Sequence, residues 1–106
     1  SQECVEEMKR HYRRRRQIIV DGLNEIDGIR CLAPKGAFYA FANITATGLS
    51  SKEFAMRLLR EKAVVTVPGT GFGEGGEGFV RLSYATSEET IREGLNRIRE
   101  FVESLS

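Results

Sequence analysis

The stretch Val64–Ala85, VVTVPGTGFGEGGEGFVRLSYA, contains the pattern that decides the fold of this chain. Two short apolar runs flank a glycine-rich loop, and the Val, Phe, Tyr and Thr residues in these runs favour β-strands because they suit a pleated, half-buried surface. Pro68 followed by Gly69 places a turn directly after the first run. The short glycine-rich connection predicts that the two strands pair antiparallel.

Arg81 lies in the middle of the second run and is the most informative residue of the stretch. Side chains alternate along a strand, so every second residue of 79–84 shares a face. One predicted face carries Val80, Leu82 and Tyr84, and the other carries Phe79, Arg81 and Ser83. The face with the guanidinium therefore meets either solvent or a negatively charged group.

The glycines satisfy the dinucleotide-binding pattern GxGxxG at Gly71, Gly73 and Gly76. That site requires a helix directly after the third glycine, because helix N-terminal amides bind the pyrophosphate. A strand follows here, so we interpret the segment as a flexible hairpin-like loop. In this interpretation Glu74 and Glu77 keep the loop tip solvated.

The remaining segments predict a helix, two strands and a helix before this stretch, and one helix after it. Apolar residues recur at three- and four-residue steps in each predicted helix. The predicted ranges are helix 1–25, strands 28–32 and 37–42, helix 51–62, and a helix from about 87 to the C-terminus. Such a set predicts one α+β domain over residues 1–106, a two-layer sandwich in which amphipathic helices cover a small, mainly antiparallel or mixed sheet.

Finer features of these elements can also be predicted. The strand at 37–42 carries aromatic residues on both of its faces, which indicates that both faces are covered. Ser50 or Ser51 can cap the second helix, and Thr86 or Ser87 the third. The expected buried residues are Phe54, Ala55, Leu58 and Leu59 in the second helix and Ile91, Leu95, Ile98, Val102 and Leu105 in the third, with Val5, Met8, Tyr12, Ile19, Leu23 and Ile26 forming the stripe of the first.

Charge and composition exclude several classes of function. Sixteen basic and 15 acidic residues give a net charge of +1, which argues against a general polyanion binder. The run Arg13–Arg16 suggests nucleic acid, but its side chains fan around a helix and acidic residues flank it. We therefore favour a solvated or interdomain helix face, and we expect no nucleic-acid partner.

Metal, membrane and redox signals are also weak. The single histidine, His11, and the distant cysteines Cys4 and Cys31 have no metal-ligand spacing, so no metal site is expected and the cysteines are interpreted as free thiols. No apolar run approaches the length of a membrane span, and no signal-like segment begins the chain. A cytoplasmic protein without membrane contact is predicted.

Three motifs in order resemble the C-terminal small domain of class I, fold-type-I aminotransferases, the aspartate aminotransferase family. They are PKGAFYAF at 34–41, VVTVPGTGFG at 64–73 and GFVRLSYA at 78–85. The resemblance implies that Arg81 binds the α-carboxylate of an amino acid or 2-oxo acid, and that Phe38 lies near the substrate pocket. A guanidinium on a strand suits this role because its planar fork matches a carboxylate.

The resemblance also implies what must come from elsewhere. The family's Schiff-base lysine and the groups that bind pyridoxal 5'-phosphate belong to a large domain of the same chain, and Lys9, Lys35, Lys52 and Lys62 stand in unrelated contexts. No catalytic residue and no cofactor are therefore expected on this part, which should be inactive alone. The full-length enzyme would be a homodimer that transfers amino groups between an amino acid, with aspartate as the first candidate, and a 2-oxo acid.

A stand-alone α+β binding or interaction module is the alternative. It predicts a polar surface around Arg81, whereas a domain of a larger enzyme predicts an apolar patch there.

Overall fold

The computed structural model of the chain describes residues 2–32, 39–72, 74–83 and 86–105. Three helices and four strands occur in the predicted order, together with short 3₁₀ turns. The helices are α1 (Gln2–Asn24), α2 (Ser51–Lys62) and α3 (Glu88–Ser104); the strands are β1 (Arg30–Leu32), β2 (Tyr39–Asn43), β3 (Val67–Pro68) and β4 (Phe79–Ser83). The α+β layout is confirmed.

The four strands form one sheet in the order β1-β2-β4-β3, and each pair is antiparallel. The predicted antiparallel pairing across the glycine-rich loop is confirmed, since β3 pairs with β4. The described strands contain no parallel pair, so the mixed sheet that the sequence left open is not formed by them. β4 lies inside the sheet, between β2 and β3, which fixes the position of its side chains from both sides.

The described helices pack on one of the two faces of the sheet. Alternate residues Cys31, Ala40, Ala42, Val80 and Leu82 are buried in one core with the apolar sides of the helices. We call the opposite side the open face; register and alternation place on it Arg30, Leu32, Tyr39, Phe41, Asn43, Val67, Phe79, Arg81 and Ser83.

The predicted cover on both sides of β2 is wrong for this chain. Tyr39 is 40% exposed and Phe41 only half-buried. The physical reason is that the described helices pack on the opposite face, so an aromatic ring on the open face keeps contact with solvent.

Helix packing confirms most of the predicted core. Phe54 of α2 meets Phe101 of α3 edge to face, with ring centroids 5.3 Å apart, and both rings are fully buried. Phe101 was missed although it lies three residues after Ile98 and four before Leu105, on the same side of α3. Leu59 was predicted buried but is 52% exposed. Val5 and Met8 are also exposed, and the buried stripe of α1 begins nearer Tyr12.

The predicted strand over 64–67 is much shorter in the structure. Ala63 adopts a left-handed conformation, with φ of 57°, and terminates α2. Val64 remains close to the helix end and Val65 is largely exposed, so pairing with β4 begins at Val67. The β-branched residues at 64 and 65 therefore form the exit from the helix, where tertiary position overrides strand propensity.

Both predicted serine caps are present. The hydroxyl of Ser50 accepts a hydrogen bond from the amide of Glu53 at the start of α2, and Ser87 accepts one from Thr90 at the start of α3. These bonds satisfy amides that have no partner within the helix.

Glu77, in the segment before β4, is hydrogen-bonded to the first turn of α2. Its carboxylate accepts hydrogen bonds from the amide of Ser51 at 3.0 Å and from the Ser51 hydroxyl at 2.9 Å. These bonds lower the pKa of Glu77, the bond from the Ser51 amide contributing most, since they stabilise the charged form. The carboxylate also suits the positive end of the helix dipole. Glu77, predicted to solvate the loop tip, therefore joins two elements.

We expect Glu77→Gln to lower the free energy of unfolding at pH 7. Both carboxylate oxygens of Glu77 accept hydrogen bonds from Ser51, and in glutamine an NH₂ donor replaces one of these acceptors. The pKa of Glu77 is lower in the folded chain than in the unfolded chain, where it is 4.5, so the ionised carboxylate stabilises the fold at pH values above 4.5. This contribution to the free energy of unfolding is lost as the pH falls through the lower pKa of the folded state. Urea unfolding between pH 3 and 7 should show the difference from wild type narrowing towards acid. Glu25→Gln, at an exposed position, is the control; equal effects of the two substitutions at pH 7 would contradict the expectation.

One described residue at each edge of the sheet offers no free backbone donor to a further strand. Cys31 points its amide and carbonyl away from β2, and the Asn24 side chain occupies both, accepting from the amide at 2.8 Å and donating to the carbonyl at 3.4 Å. On the other edge, Pro68 of β3 has no amide hydrogen to offer.

Candidate carboxylate-binding site

Arg81 lies at the centre of the open face and is half-buried. Its direct cross-strand neighbours are Phe41 of β2 and Val67 of β3. Directly paired residues on one face have Cβ atoms roughly 4.5–5.5 Å apart, so two apolar side chains flank the stem of the arginine. The predicted alternation of 79–83 is confirmed; Tyr84 lies outside the described residues.

The ring of Tyr39 contacts this arginine. The Cζ atom of Arg81 lies over the Tyr39 ring, 4.2 Å from its centroid. Tyr39 pairs with Ser83, two residues along β4, so its ring reaches Arg81 diagonally. The guanidinium is thereby in contact with an aromatic face.

Chemically, this arrangement can bind an anion but cannot transfer a proton. Arginine stays charged at any physiological pH and presents five N–H donors in one plane, which matches a carboxylate with two parallel hydrogen bonds. No metal site accompanies it: the described part of the chain has no group of three or more histidine, cysteine or acidic residues placed to hold an ion.

Apolar surface surrounds the arginine. Leu32 of β1 is 69% exposed, and it shares a cross-strand row with Phe41 and Arg81. Tyr39, which is 40% exposed, is a second exposed apolar side chain on this face.

The other sequence-predicted site residues fall into two groups. Phe38, with Lys35, lies outside the described residues. The run Arg13–Arg16 takes part in helix contacts: Arg14 forms an ion pair with Glu88 of α3, and Arg15 lies over the Tyr12 ring at 5.5 Å.

The described lysines lie on helices and not on the sheet strands beside Arg81. Lys9 is on α1, and Lys52 and Lys62 are on α2, both helices packed against the opposite face of the sheet. Lys62 donates to Glu100 at 3.0 Å. The described residues therefore provide no lysine on the open face for a Schiff base, and they do not fit a pyridoxal-phosphate site by themselves.

The buried thiol does not offer a reactive group either. Cys31 is free, and burial raises its pKa to about 11 against the opposing effect of Arg16. A thiol with such a pKa stays protonated near neutral pH.

A cleft of about 410 Å³ lies between α1, α3, the segment 63–65 and the end of β4 at Leu82 and Ser83. Its lining includes Ile19, Val64 and Arg97 but not Arg81. Small ligands are usually enclosed over most of their surface. Arg81 on an open sheet face would need further protein over it to complete such a site.

Tyr39 is the residue of this site that the sequence reasoning missed. The sequence did contain a signal, because Tyr39 and Phe41 are two positions apart in one strand and therefore share a face. Only the register between β2 and β4 shows that this face lies beside Arg81. The sequence does not determine that register, because a helix separates the two strands.

Comparison with known proteins gives the family. The family model described as aminotransferase class I and II matches residues 1–98, so the similarity extends over the first helix as well as the three motifs. An aspartate aminotransferase of Pyrococcus horikoshii is 52% identical over 103 residues, which are 97% of this chain and 26% of that protein. Aromatic-amino-acid aminotransferase 2 of Thermococcus litoralis is 51% identical over 98 residues, 92% of this chain and 25% of that protein.

Solved structures agree with the described fold. The chain superposes on an aromatic aminotransferase from Pyrococcus horikoshii with a TM-score of 0.91 and 45% identity, over 96% of this chain and 27% of that one. For the aspartate aminotransferase of Rhizobium meliloti the TM-score is 0.93 at 36% identity, over 100% of this chain and 28% of the other. The chain thus spans about a quarter of the length of these relatives. It belongs to the class I and II aminotransferase family.

Proposed function

We propose that this chain is the C-terminal small domain of a pyridoxal-phosphate-dependent aminotransferase, and that Arg81 binds the α-carboxylate of its substrates. The observation that carries the proposal is the position of Arg81: an arginine on an interior strand, flanked by apolar residues and placed on the open face, away from the described helices. A rigid strand places the guanidinium more precisely than a loop would. Substrate affinity of an Arg81→Lys enzyme tests this role.

The open face is proposed to contact the large domain of the same chain. Exposed Leu32 and Tyr39 support this, because apolar surface of that kind is expected where two domains meet. The reading frame is expected to continue upstream for some hundreds of residues. A stop codon directly before the chain would favour the stand-alone binding module instead.

The substrates are proposed to be an amino acid and a 2-oxo acid, with aspartate assayed first and aromatic amino acids second. Relatives named for aspartate and for aromatic amino acids are almost equally identical to the chain, at 52% and 51%. Side-chain selectivity is therefore assigned to parts of the enzyme outside these residues.

The cofactor is proposed to be held by the large domain. Pyridoxal phosphate supplies the electron sink for amino-group transfer, and the role of this domain is to bind and orient the carboxylate. Movement of the domain onto the substrate would bring Arg81 into place and exclude water.

The isolated chain is expected to be inactive and to bind no pyridoxal phosphate specifically, because its described lysines do not face Arg81. After incubation with the cofactor and borohydride reduction, mass spectrometry should show no more label on the folded chain than on the urea-unfolded chain. Stoichiometric labelling of one lysine in the folded chain alone would refute this.

A homodimer in the cytoplasm is proposed for the full-length enzyme, in keeping with the family resemblance. None of the helices among the described residues is long and apolar enough to cross a membrane. Light scattering of the purified full-length enzyme gives its mass directly, and a monomeric mass at working concentration would contradict the dimer.

A further inference from the structure

The contact between Tyr39 and Arg81 is built into the pairing of β2 with β4. Tyr39 is opposite Ser83, and Phe41 is opposite Arg81, so the ring and the guanidinium are diagonal neighbours on one face. Diagonal neighbours on a sheet are close enough for long and aromatic side chains to meet. The measured distance of 4.2 Å from Cζ to the ring centroid is within the range of a cation–π interaction.

Ring contact and hydrogen bonding use different parts of a guanidinium group. An aromatic ring contacts the flat face of the guanidinium, whereas its five N–H donors point outward in the plane. One side chain can therefore hold the group while another molecule binds it. A free arginine side chain has many rotamers, and contact with a ring removes part of that freedom before the ligand arrives.

We propose that Tyr39 is a positioning residue for carboxylate binding: its ring holds the Arg81 guanidinium in the orientation that accepts the substrate. The inference rests on the proposed function of Arg81. It assigns a role to a residue that makes no proton transfer and need not touch the reacting atoms. Ordering the arginine in advance lowers the entropic cost of forming two hydrogen bonds with a carboxylate.

A merely apolar role for Tyr39 makes a different prediction. If the ring served only as contact surface for a neighbouring domain, any side chain of similar bulk would replace it and its effect would be independent of Arg81. If the ring acts on the guanidinium, its effect requires both an aromatic face and Arg81.

The experiment uses the full-length enzyme and steady-state kinetics with an amino acid substrate. Tyr39→Leu is expected to lower kcat/KM about fivefold, mainly through a higher KM, a change within the strength of an aromatic contact with a cation. Tyr39→Phe, which keeps the ring, is expected to restore kcat/KM to within about twofold of the unaltered enzyme. In an Arg81→Ala background, Tyr39→Leu should cause no further loss, because the two residues act as one unit.

Leu32→Ala is the matched control, since Leu32 is an exposed apolar residue of the same face. Its effect, of whatever size, should be the same with Arg81 present or absent.

Two results overturn the inference separately from the function of Arg81. Equal kinetics for Tyr39→Leu and Tyr39→Phe would show that the aromatic face is not used. A loss on Tyr39→Leu that is as large without Arg81 as with it would show a structural role. A third result, Arg81→Ala without effect on KM or kcat/KM, would overturn the proposed function and the inference together.

Discussion

Arg81→Lys in the full-length enzyme is expected to lower kcat/KM for the amino acid substrate at least about tenfold, equivalent to about 1.4 kcal/mol. Lysine keeps the positive charge but offers a point charge in place of a planar fork, so the two parallel hydrogen bonds to a carboxylate cannot both form. If Arg81 binds the carboxylate in the ground state and in the transition state alike, most of the loss should appear as a higher KM. Steady-state kinetics with the amino acid and with the 2-oxo acid measure it.

Arg30→Lys is the matched control for this substitution. Arg30 is an exposed arginine on the same open face, at the edge strand β1 and opposite Asn43. If the effect of Arg81→Lys came from a general change of cation on that face, the two variants would behave alike. Unchanged affinity for both substrates in the Arg81 variant would reject the carboxylate-binding role.

Gly76→Ala is expected to destabilise the domain by about 1–3 kcal/mol, the range typical of overpacking. The glycine-rich loop folds so that Gly69 and Gly76 lie against each other, and a Cβ atom at Gly76 would collide with the carbonyl group of Gly69. Both groups are backbone and cannot rotate away, so the two limbs of the loop would have to separate. Thermal or urea unfolding followed by circular dichroism measures the loss.

The neighbouring residue provides a control with the same chemistry. A Cβ atom at Gly75 would meet nothing within 4 Å, and Gly75→Ala should therefore change the free energy of unfolding by no more than about 0.5 kcal/mol. If both variants unfold at the same denaturant concentration, the close approach of the two limbs is not what these glycines provide.

The sequence predicted the class of fold because its patterns were local. Apolar periodicity gave the three helices, and the serines at 50 and 87 marked the starts of two of them. Alternation over 79–83 gave the orientation of Arg81, which is confirmed by the register with β2. Each of these signals depends on neighbours within a few residues of one another.

The features that were missed depend on residues far apart in the chain. Glu77 and Ser51 are 26 positions apart, and only the folded chain shows that the acid caps the helix instead of solvating a loop. The strand predicted to follow the glycines is present as β4, but the close packing of Gly69 and Gly76 could be seen only once the two limbs of the loop were placed. The prediction that Tyr39 is covered failed for a different reason. Aromatic residues on both faces of a strand do not show whether the layer that covers the second face belongs to the same chain.

The two edges of the sheet have a consequence for how the domain associates with other molecules. Exposed strand edges recruit further strands and lead to aggregation, but Asn24 occupies the outer backbone groups at Cys31, and Pro68 has no hydrogen to donate. Growth of the sheet by strand addition is therefore disfavoured at both ends. Self-association of the isolated domain should instead occur face to face, through the apolar surface around Leu32 and Tyr39, and a detergent or a partner domain that covers this surface should suppress it.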